Sequence, residues 1–342
     1  MRKWWILVLV AALALAGCQG GEKDTVREKA AGRQTAGKVR IGLVLSVGGL
    51  GDKSFNDSAY EGLTRAAREF GIVPLYGQPE QMAEDEKYLR QYAEQGVDLV
   101  IAVGFLMKDA LEKVAGEFPD KHFAIIDAVV DRPNVASLVF REHEGSFLVG
   151  AIAGLVTKTG KVGFVGGMDI PLIHKFEVGY IEGVKYVNPD AEVLVAYAGS
   201  GPQAFSDPVK GKSLALSQFD RGADVIFQAA GSTGNGVIDA AQERGLYAIG
   251  VDANQNYMAP GHVLTSMLKR VDVAVFQIIK DVVEGKFEGG KHTYGLEIDG
   301  VGYALDEYNK DLIPDDVLAR VEEIKAGIVS GAIHVTDYTA TH

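Results

Sequence analysis

The sequence predicts an α/β fold built on doubly wound parallel sheets, and three observations predict it. From residue 39 onward, short apolar runs rich in Val, Ile and Leu alternate with stretches whose apolar residues recur at helical spacing. The short runs show no polar alternation, as expected for strands covered by helices on both faces. Glycines, acids, amides and aromatics gather just after the strands, the edge at which open α/β sheets bind ligands.

The elements follow in order. The first strand is expected at residues 39–46 (VRIGLVLS) and the first helix at 58–70, stopped by Gly71. Strands at 74–78 and 98–104 then alternate with helices at 85–95 and 108–118. Two strands, 122–128 and 135–141, lead into a helix at 144–158. The alternation continues with strands at 161–167, 191–198, 224–230 and 247–252, and helices at 174–187, 207–221 and 235–244. The remaining chain adds a strand at 262–268, a helix at 271–285, a strand pair around 292–305 and a last helix at 314–331. Asp299-Gly300 is the turn signal inside that pair. So many βα units fit two sheets better than one, and no Pro/Gly linker separates them. Ordered strands crossing between two lobes are therefore expected. The expected division is residues 38–140 plus 253–267 for the first lobe and 141–252 plus 268–342 for the second.

The first residues have another character. Arg2 and Lys3 precede an apolar run over residues 4–16, too short for the ~20 residues that a membrane span needs. This is the anatomy of a signal peptide, expected over residues 1–17. Leu15-Ala16-Gly17-Cys18 looks like a bacterial lipobox, and Cys18 is the single cysteine of the chain. Acylation there would anchor the protein to a membrane surface, on the extracytoplasmic side. Residues 18–37 carry almost no large apolar side chain and read as a solvated tether.

Composition narrows the function. The 342 residues are 47% apolar and 23% charged, the balance of a globular protein. The net charge of −12 argues against a nucleic-acid partner. One cysteine excludes an internal disulfide and a cysteine-based zinc site. The seven histidines show no H-E-x-x-H spacing, so no metal is expected. Gly231-Ser232-Thr233-Gly234-Asn235-Gly236 is not a dinucleotide fingerprint, and Gly211-Lys212-Ser213 lacks the earlier glycine of a P-loop, having Ser206 there. Arg141-Glu142-His143-Glu144 reads as a charged helix entry. No nucleophile elbow is present. The residues after the strands are what a polar, small-molecule cleft needs, and no cofactor is expected.

Several motifs together resemble one family. They are GGLGDKSFNDSAYEGL (residues 48–63), FSDPVKGK (205–212), GADVIFQAAGSTGNGVIDAA (222–241), IGVDANQ (249–255) and VLTSMLKRVDVAVF (263–276). In this order they resemble the basic membrane protein family of bacterial lipoproteins, whose best understood members are purine nucleoside receptors. The resemblance implies a type I periplasmic-binding-protein fold, two lobes joined by three crossovers, with the ligand delivered to an ABC transporter. Carried over by motif, Phe55 and Phe205 would stack on the base, and Asn56 and Asp127 would hydrogen-bond the ligand. Gly231 would let the backbone approach it, and Asp252 and Lys269 would bind ribose hydroxyls.

The residue chemistry agrees. Two rings from different lobes suit a planar base, and such stacking contributes ~1–3 kcal/mol per base. Phe55 and Phe205 stand in polar surroundings, where ligand contact competes with core packing. A buried Asp252 needs donors, which a diol provides, the alternative being a helix N-cap. Asp127 has an Asx turn as its alternative, and Lys269 a solvated surface position.

Two departures leave the base open. Ser46 stands where the family commonly has an aspartate, and Gly201-Pro202-Gln203 lengthens the central loop. The expected function is a membrane-anchored, substrate-binding lipoprotein of an ABC importer that takes guanosine, inosine or adenosine. The alternatives are a sensor, or a receptor for another planar molecule such as riboflavin. A nucleoside hydrolase would need an activated water, and no carboxylate cluster with metal-binding spacing provides one.

Overall fold

The computed structural model describes residues 37–341. The expected signal peptide, Cys18 and the tether up to residue 36 lie outside the described residues. The first half of the chain runs β1 (Arg40–Val44), α1 (Phe55–Phe70), β2 (Val73–Gly77), α2 (Asp85–Glu94), β3 (Leu99–Ala102), α3 (Lys108–Glu117), β4 (His122–Ile126), β5 (Val135–Phe140) and α4 (Glu142–Val156). Then follow β6 (Lys161–Met168), α5 (Pro171–Val187), β7 (Glu192–Gly199), α6 (Pro208–Asp220), β8 (Val225–Ala229), α7 (Thr233–Arg244), β9 (Tyr247–Asp252) and β10 (Val263–Lys269). The chain closes with α8 (Val271–Val283), β11 (Gly290–Tyr294), β12 (Val301–Tyr303), α9 (Asp315–Val329) and the short α10 (Tyr338–Thr341).

These strands form two six-stranded sheets, in the orders β11-β5-β4-β3-β1-β2 and β12-β10-β9-β8-β6-β7. The first is parallel throughout. The second is parallel except for β12, which runs against β10. The inner strands are buried along their length, as in Leu99–Ala102 and Val225–Ala229, because helices cover both faces.

The chain passes between the sheets at β5 to α4, at β10 to α8 and at β11 to β12. The crossover segments hydrogen-bond to one another. Arg141 N donates to Tyr294 O at 2.9 Å, and Arg270 N to Gly300 O at 2.9 Å. Leu296 N donates to the Glu144 carboxylate at 2.9 Å. The hinge is thus ordered backbone.

Three expectations are corrected here. Residues 253–267 do not belong to the first lobe: β10 pairs with β9 and β12 in the second sheet. Nor does all of 268–342 belong to the second lobe. Helix α8 packs on α1, where a Cβ on Gly62 would meet Asp272 O at 2.5 Å, and β11 extends the first sheet beside β5. The expected strand pair around 292–305 is likewise no pair, since β11 and β12 lie in different sheets. Asp299, at φ 53, turns a crossover rather than a hairpin. Hydrophobic pattern identifies a strand, but the sheet it joins is decided by tertiary packing.

Glycines bring helices together in the second lobe. A Cβ on Gly150 in α4 would run into Tyr180 O of α5, and one on Gly183 in α5 into Phe147 O of α4. The two backbones therefore touch across this face, which places the start of α5 at the cleft.

Candidate functional site

The carboxyl ends of both sheets face a single cleft. Ser46, Gly104 and Asp127 follow β1, β3 and β4 of the first sheet, and Gly231, Asp252 and Lys269 stand at the ends of β8, β9 and β10 of the second. Between them lies a cavity with about 630 Å³ of empty space, counted out to its open mouth. All the ligand-contact candidates named from the sequence line it: Ser46, Phe55, Asn56, Asp127, Phe205, Gly231, Asp252 and Lys269.

Their local settings differ from those expected. Phe55 and Asn56 are in the first turn of α1 and not in a loop, because the helix starts three residues before Ser58. Asp52 explains the early start. Its carboxylate accepts from the backbone N–H of Ser54 at 2.9 Å, Asn56 at 2.8 Å and Asp57 at 3.1 Å, so it satisfies the orphan donors of the helix end from outside. Asn56 Oδ1 accepts from Ser46 N at 2.9 Å, which leaves its amide N–H as the group it offers a ligand. Gly231 has φ 56, and a Cβ there would come to 3.1 Å from Phe205 O, so the glycine seats the Phe205 loop.

Asp127 and Asp252 both have positive φ, 66 and 63. This left-handed turn at a strand end aims each carboxylate back over the sheet edge and into the cleft. Asp252 caps no helix, and Lys269 is not on the surface. The Lys269 side chain is 2% exposed and its Nζ donates to Asp127 Oδ2 at 2.5 Å. It also lies 4.9 Å from the centroid of the Phe55 ring, within cation–π range. Burial works against the charge of Lys269, but Asp127, Glu142 and Asp252 outweigh it and hold the ammonium above its ordinary pKa. Burial raises the Asp252 carboxyl, against the pull of Lys269 and of the Ser54 hydroxyl. Burial pushes Asp52 up to about 6, against its three backbone donors. Asp127 Oδ1 is buried and has no hydrogen-bond partner. An orphaned acceptor at a cavity wall is a position for a ligand donor.

The lobes touch across the cleft through the loop before α1. Ser54 Oγ donates to Asp252 Oδ2 at 2.6 Å, Asn235 Nδ2 to Asp52 O at 3.3 Å and Gln255 Nε2 to Lys53 O at 3.1 Å. Sequence reasoning missed Ser54 and Asp52 as part of this contact. It also missed Phe105, Leu106, Leu172, Ile173 and Phe176 in the cavity wall. The position of Phe105 just after β3 was a usable signal. Its ring meets that of Phe205 edge-on, with centroids 6.4 Å apart and an interplanar angle of 73°. Phe176 lies inside a helix and carries no such signal. Among the described residues no group of three or more His, Cys, Asp and Glu side chains is arranged to hold a metal ion, and no helix is long and apolar enough to cross a membrane.

Comparison with known proteins points the same way. A family model described as ABC transporter substrate-binding protein PnrA-like, named Bmp, matches residues 38–338. A lipoprotein of Pyrococcus abyssi is 37% identical to this chain, over 94% of it and 85% of the relative. A protein of Lactococcus lactis subsp. cremoris named ABC transporter nucleoside-binding protein BmpA is 34% identical, over 98% of this chain and 99% of the relative. The crystal structure of a solute-binding protein of an ABC transporter system from Aeropyrum pernix K1 aligns with a TM-score of 0.81 at 36% identity, covering 87% of this chain and 93% of that one.

Proposed function

The chain belongs to the Bmp family of PnrA-like ABC transporter substrate-binding proteins, and from that membership we propose that it captures a purine nucleoside between its lobes for import. One observation carries the reading: the residues implied by the family motifs, drawn from both lobes, converge on one cavity.

The chemistry of the wall supports a neutral, planar ligand bearing hydroxyls. Phe55 and Phe205 come from opposite lobes and both line the cavity, where a base would stack against them. Asn56 offers an amide N–H, and Ser46 a hydroxyl, to the polar edge of the base. Asp127 Oδ1, Asp252 and Lys269 offer two acceptors and a donor to ribose hydroxyls. Asp52, Asp127, Asp252 and the nearby Glu142 outnumber Lys269 and Lys175, so a phosphate would meet net negative charge. Ligand that touches both lobes favours the closed arrangement and couples binding to lobe motion. The protein would then be a receptor and no enzyme, held on the extracytoplasmic membrane face through lipid on Cys18 and read by the transporter's permease.

The test is calorimetry on the mature chain with Cys18→Ser, unfolded and refolded to strip carried ligand. Guanosine, inosine, adenosine, the free bases and riboflavin form the panel. Tight binding of a nucleoside with little for its free base is the expected result. Binding of riboflavin alone, or of nothing by a folded protein, overturns the nucleoside reading. Release of free base on incubation with inosine would make the protein a hydrolase.

A further inference from the structure

A chain of buried charges runs behind the cleft, and half of it does not line the cavity. Lys269 pairs with Asp127 on the cavity side. Behind it stands Glu142, 1% exposed, whose Oε1 lies 3.6 Å from Lys269 Nζ and takes part in no hydrogen bond. The other oxygen of Glu142 accepts from the ammonium of Lys175, which is 7% exposed and also donates to Phe140 O at 2.6 Å. Asp127 and Phe140 belong to the first lobe, and Lys175 and Lys269 to the second. Glu142 is the first residue of α4, just past a crossover.

Fold stability is a poor reason for such a chain. Replacing a buried ion pair by well-packed apolar groups is often neutral or stabilising, whereas removing one partner is strongly destabilising. Its location gives a better reason. Lys175 ties α5 to the last carbonyl of β5 at the hinge, which fixes Glu142 beside Lys269. When the lobes part, Asp127 moves away with the first lobe. Glu142 is then, beside Asp252 of the same lobe, a carboxylate still near Lys269, and its free Oε1 keeps the long side chain from swinging out of place.

We propose that Glu142 and Lys175 are positioning residues for ligand capture, holding Lys269 at the cleft and setting the angle of the first crossover. This rests on the nucleoside reading for its ligand and on geometry alone for the hinge. Neither side chain touches the cavity, so each acts through Lys269 and the crossover.

The experiment uses the mature chain with Cys18→Ser and three variants, E142Q, K175M and the double E142Q/K175M. Melting temperature and nucleoside affinity are measured for each. Spin labels at the exposed positions Glu69 and Asp190, one on each lobe and introduced as E69C and D190C, report the lobe separation without ligand. The expected result is a dissociation of the readouts. K175M alone lowers the melting temperature, because it strands a buried carboxylate. The double variant recovers most of that loss, yet binds nucleoside at least about tenfold more weakly, the scale of lost outer-shell support at other sites. Its unliganded label distances also broaden. E142Q, which keeps shape and an acceptor for Lys175, gives the same affinity and distance readings should the double variant not fold. Wild-type affinity together with unchanged distances in these variants overturns the proposal. If the wild-type protein binds no nucleoside, the functional reading fails by itself, and the distances decide this one: broadened sustains it, unchanged overturns it.

Discussion

Ser54 Oγ donates to Asp252 Oδ2 at 2.6 Å, and the two residues stand on opposite lobes. The same hydroxyl lies 3.2 Å from Val251 O, so it reaches the end of β9 through both backbone and side chain. It is a contact between the lobes that also holds one oxygen of Asp252, leaving the other for a ligand. Ser54→Ala is expected to weaken nucleoside binding by roughly 1.5–3 kcal/mol, the usual contribution of a hydrogen bond to a charged group. The melting temperature should hardly change, because the bond joins lobes and not core elements. Calorimetry beside thermal melting checks both. An unchanged affinity would show that Asp252 needs no help from the first lobe.

The Phe105–Phe205 edge contact bridges the cleft in the same way, above the cavity. Phe205→Ala should cost more than Phe105→Ala. Phe205 supplies a ring face for a base, ~1–3 kcal/mol in stacking systems, and Phe105 contributes to the aromatic pair, about 0.5–1.5 kcal/mol. Titration of both variants with one nucleoside gives the ranking. The reverse order would place the base against Phe105.

Much of this site was legible in the sequence. Strand ends are readable from apolar runs that stop at Asp, Gly or Lys, but the roles expected of Asp252 and Lys269 came from the family resemblance of the motifs that hold them. The lobe assignment of β10 and β11 was not legible, because both runs fit either sheet equally well. Their placement follows from α8 docking on α1 at Gly62, a contact between residues some two hundred positions apart. Glu142 read as a charged helix entry for a related reason. Nothing near it in sequence shows that Lys175 and Lys269 will close around its carboxylate.

The glycines between α4 and α5 give a prediction on stability alone. Gly183→Ala would drive a methyl into Phe147 O, and backbone cannot yield as a side-chain tip can. The helices must separate, and overpacking of this kind typically costs about 1–3 kcal/mol. Denaturant unfolding should show that loss. A variant as stable as the wild type would mean that the helix pair slides freely.

Acid should release the ligand before it unfolds the protein. Burial pushes Asp52 up to about 6, and it raises Asp127 and Asp252 as well. Protonating Asp52 weakens its hold on the N–H groups that set Phe55 and Asn56, and protonating Asp127 or Asp252 removes acceptors. Affinity should therefore hold above about pH 7 and fall as pH drops through about 6. The sign for stability is opposite. A carboxyl raised in the folded state takes up its proton there before the unfolded chain does, so its contribution to stability grows on acidification and shrinks as pH rises. Binding isotherms from about pH 8 to about pH 5, with melting curves at each step, separate the two. Affinity that is flat across this range would remove these carboxylates from the ligand's environment.

Asp127 allows charge and backbone to be tested apart. Its φ of 66 favours Asn or Asp over other side chains, since a short polar group tolerates the left-handed region. Asp127→Asn keeps that conformation and an oxygen for Lys269, while removing the charge. Lys269 would still face Glu142 and Asp252, so the fold should survive with a modest loss. Affinity should fall, because Lys269 is no longer pinned at the cavity wall and the acceptor at Oδ1 is weaker or replaced by a donor. Asp127→Ala adds left-handed strain, of order 1–3 kcal/mol, to the same loss of charge. The Asn variant should therefore match the Ala variant in affinity and exceed it in stability. Equal melting temperatures would mean that the turn after β4 relaxes without cost, and a nucleoside affinity for Asp127→Asn equal to wild type would mean that Glu142 and Asp252 suffice to hold Lys269.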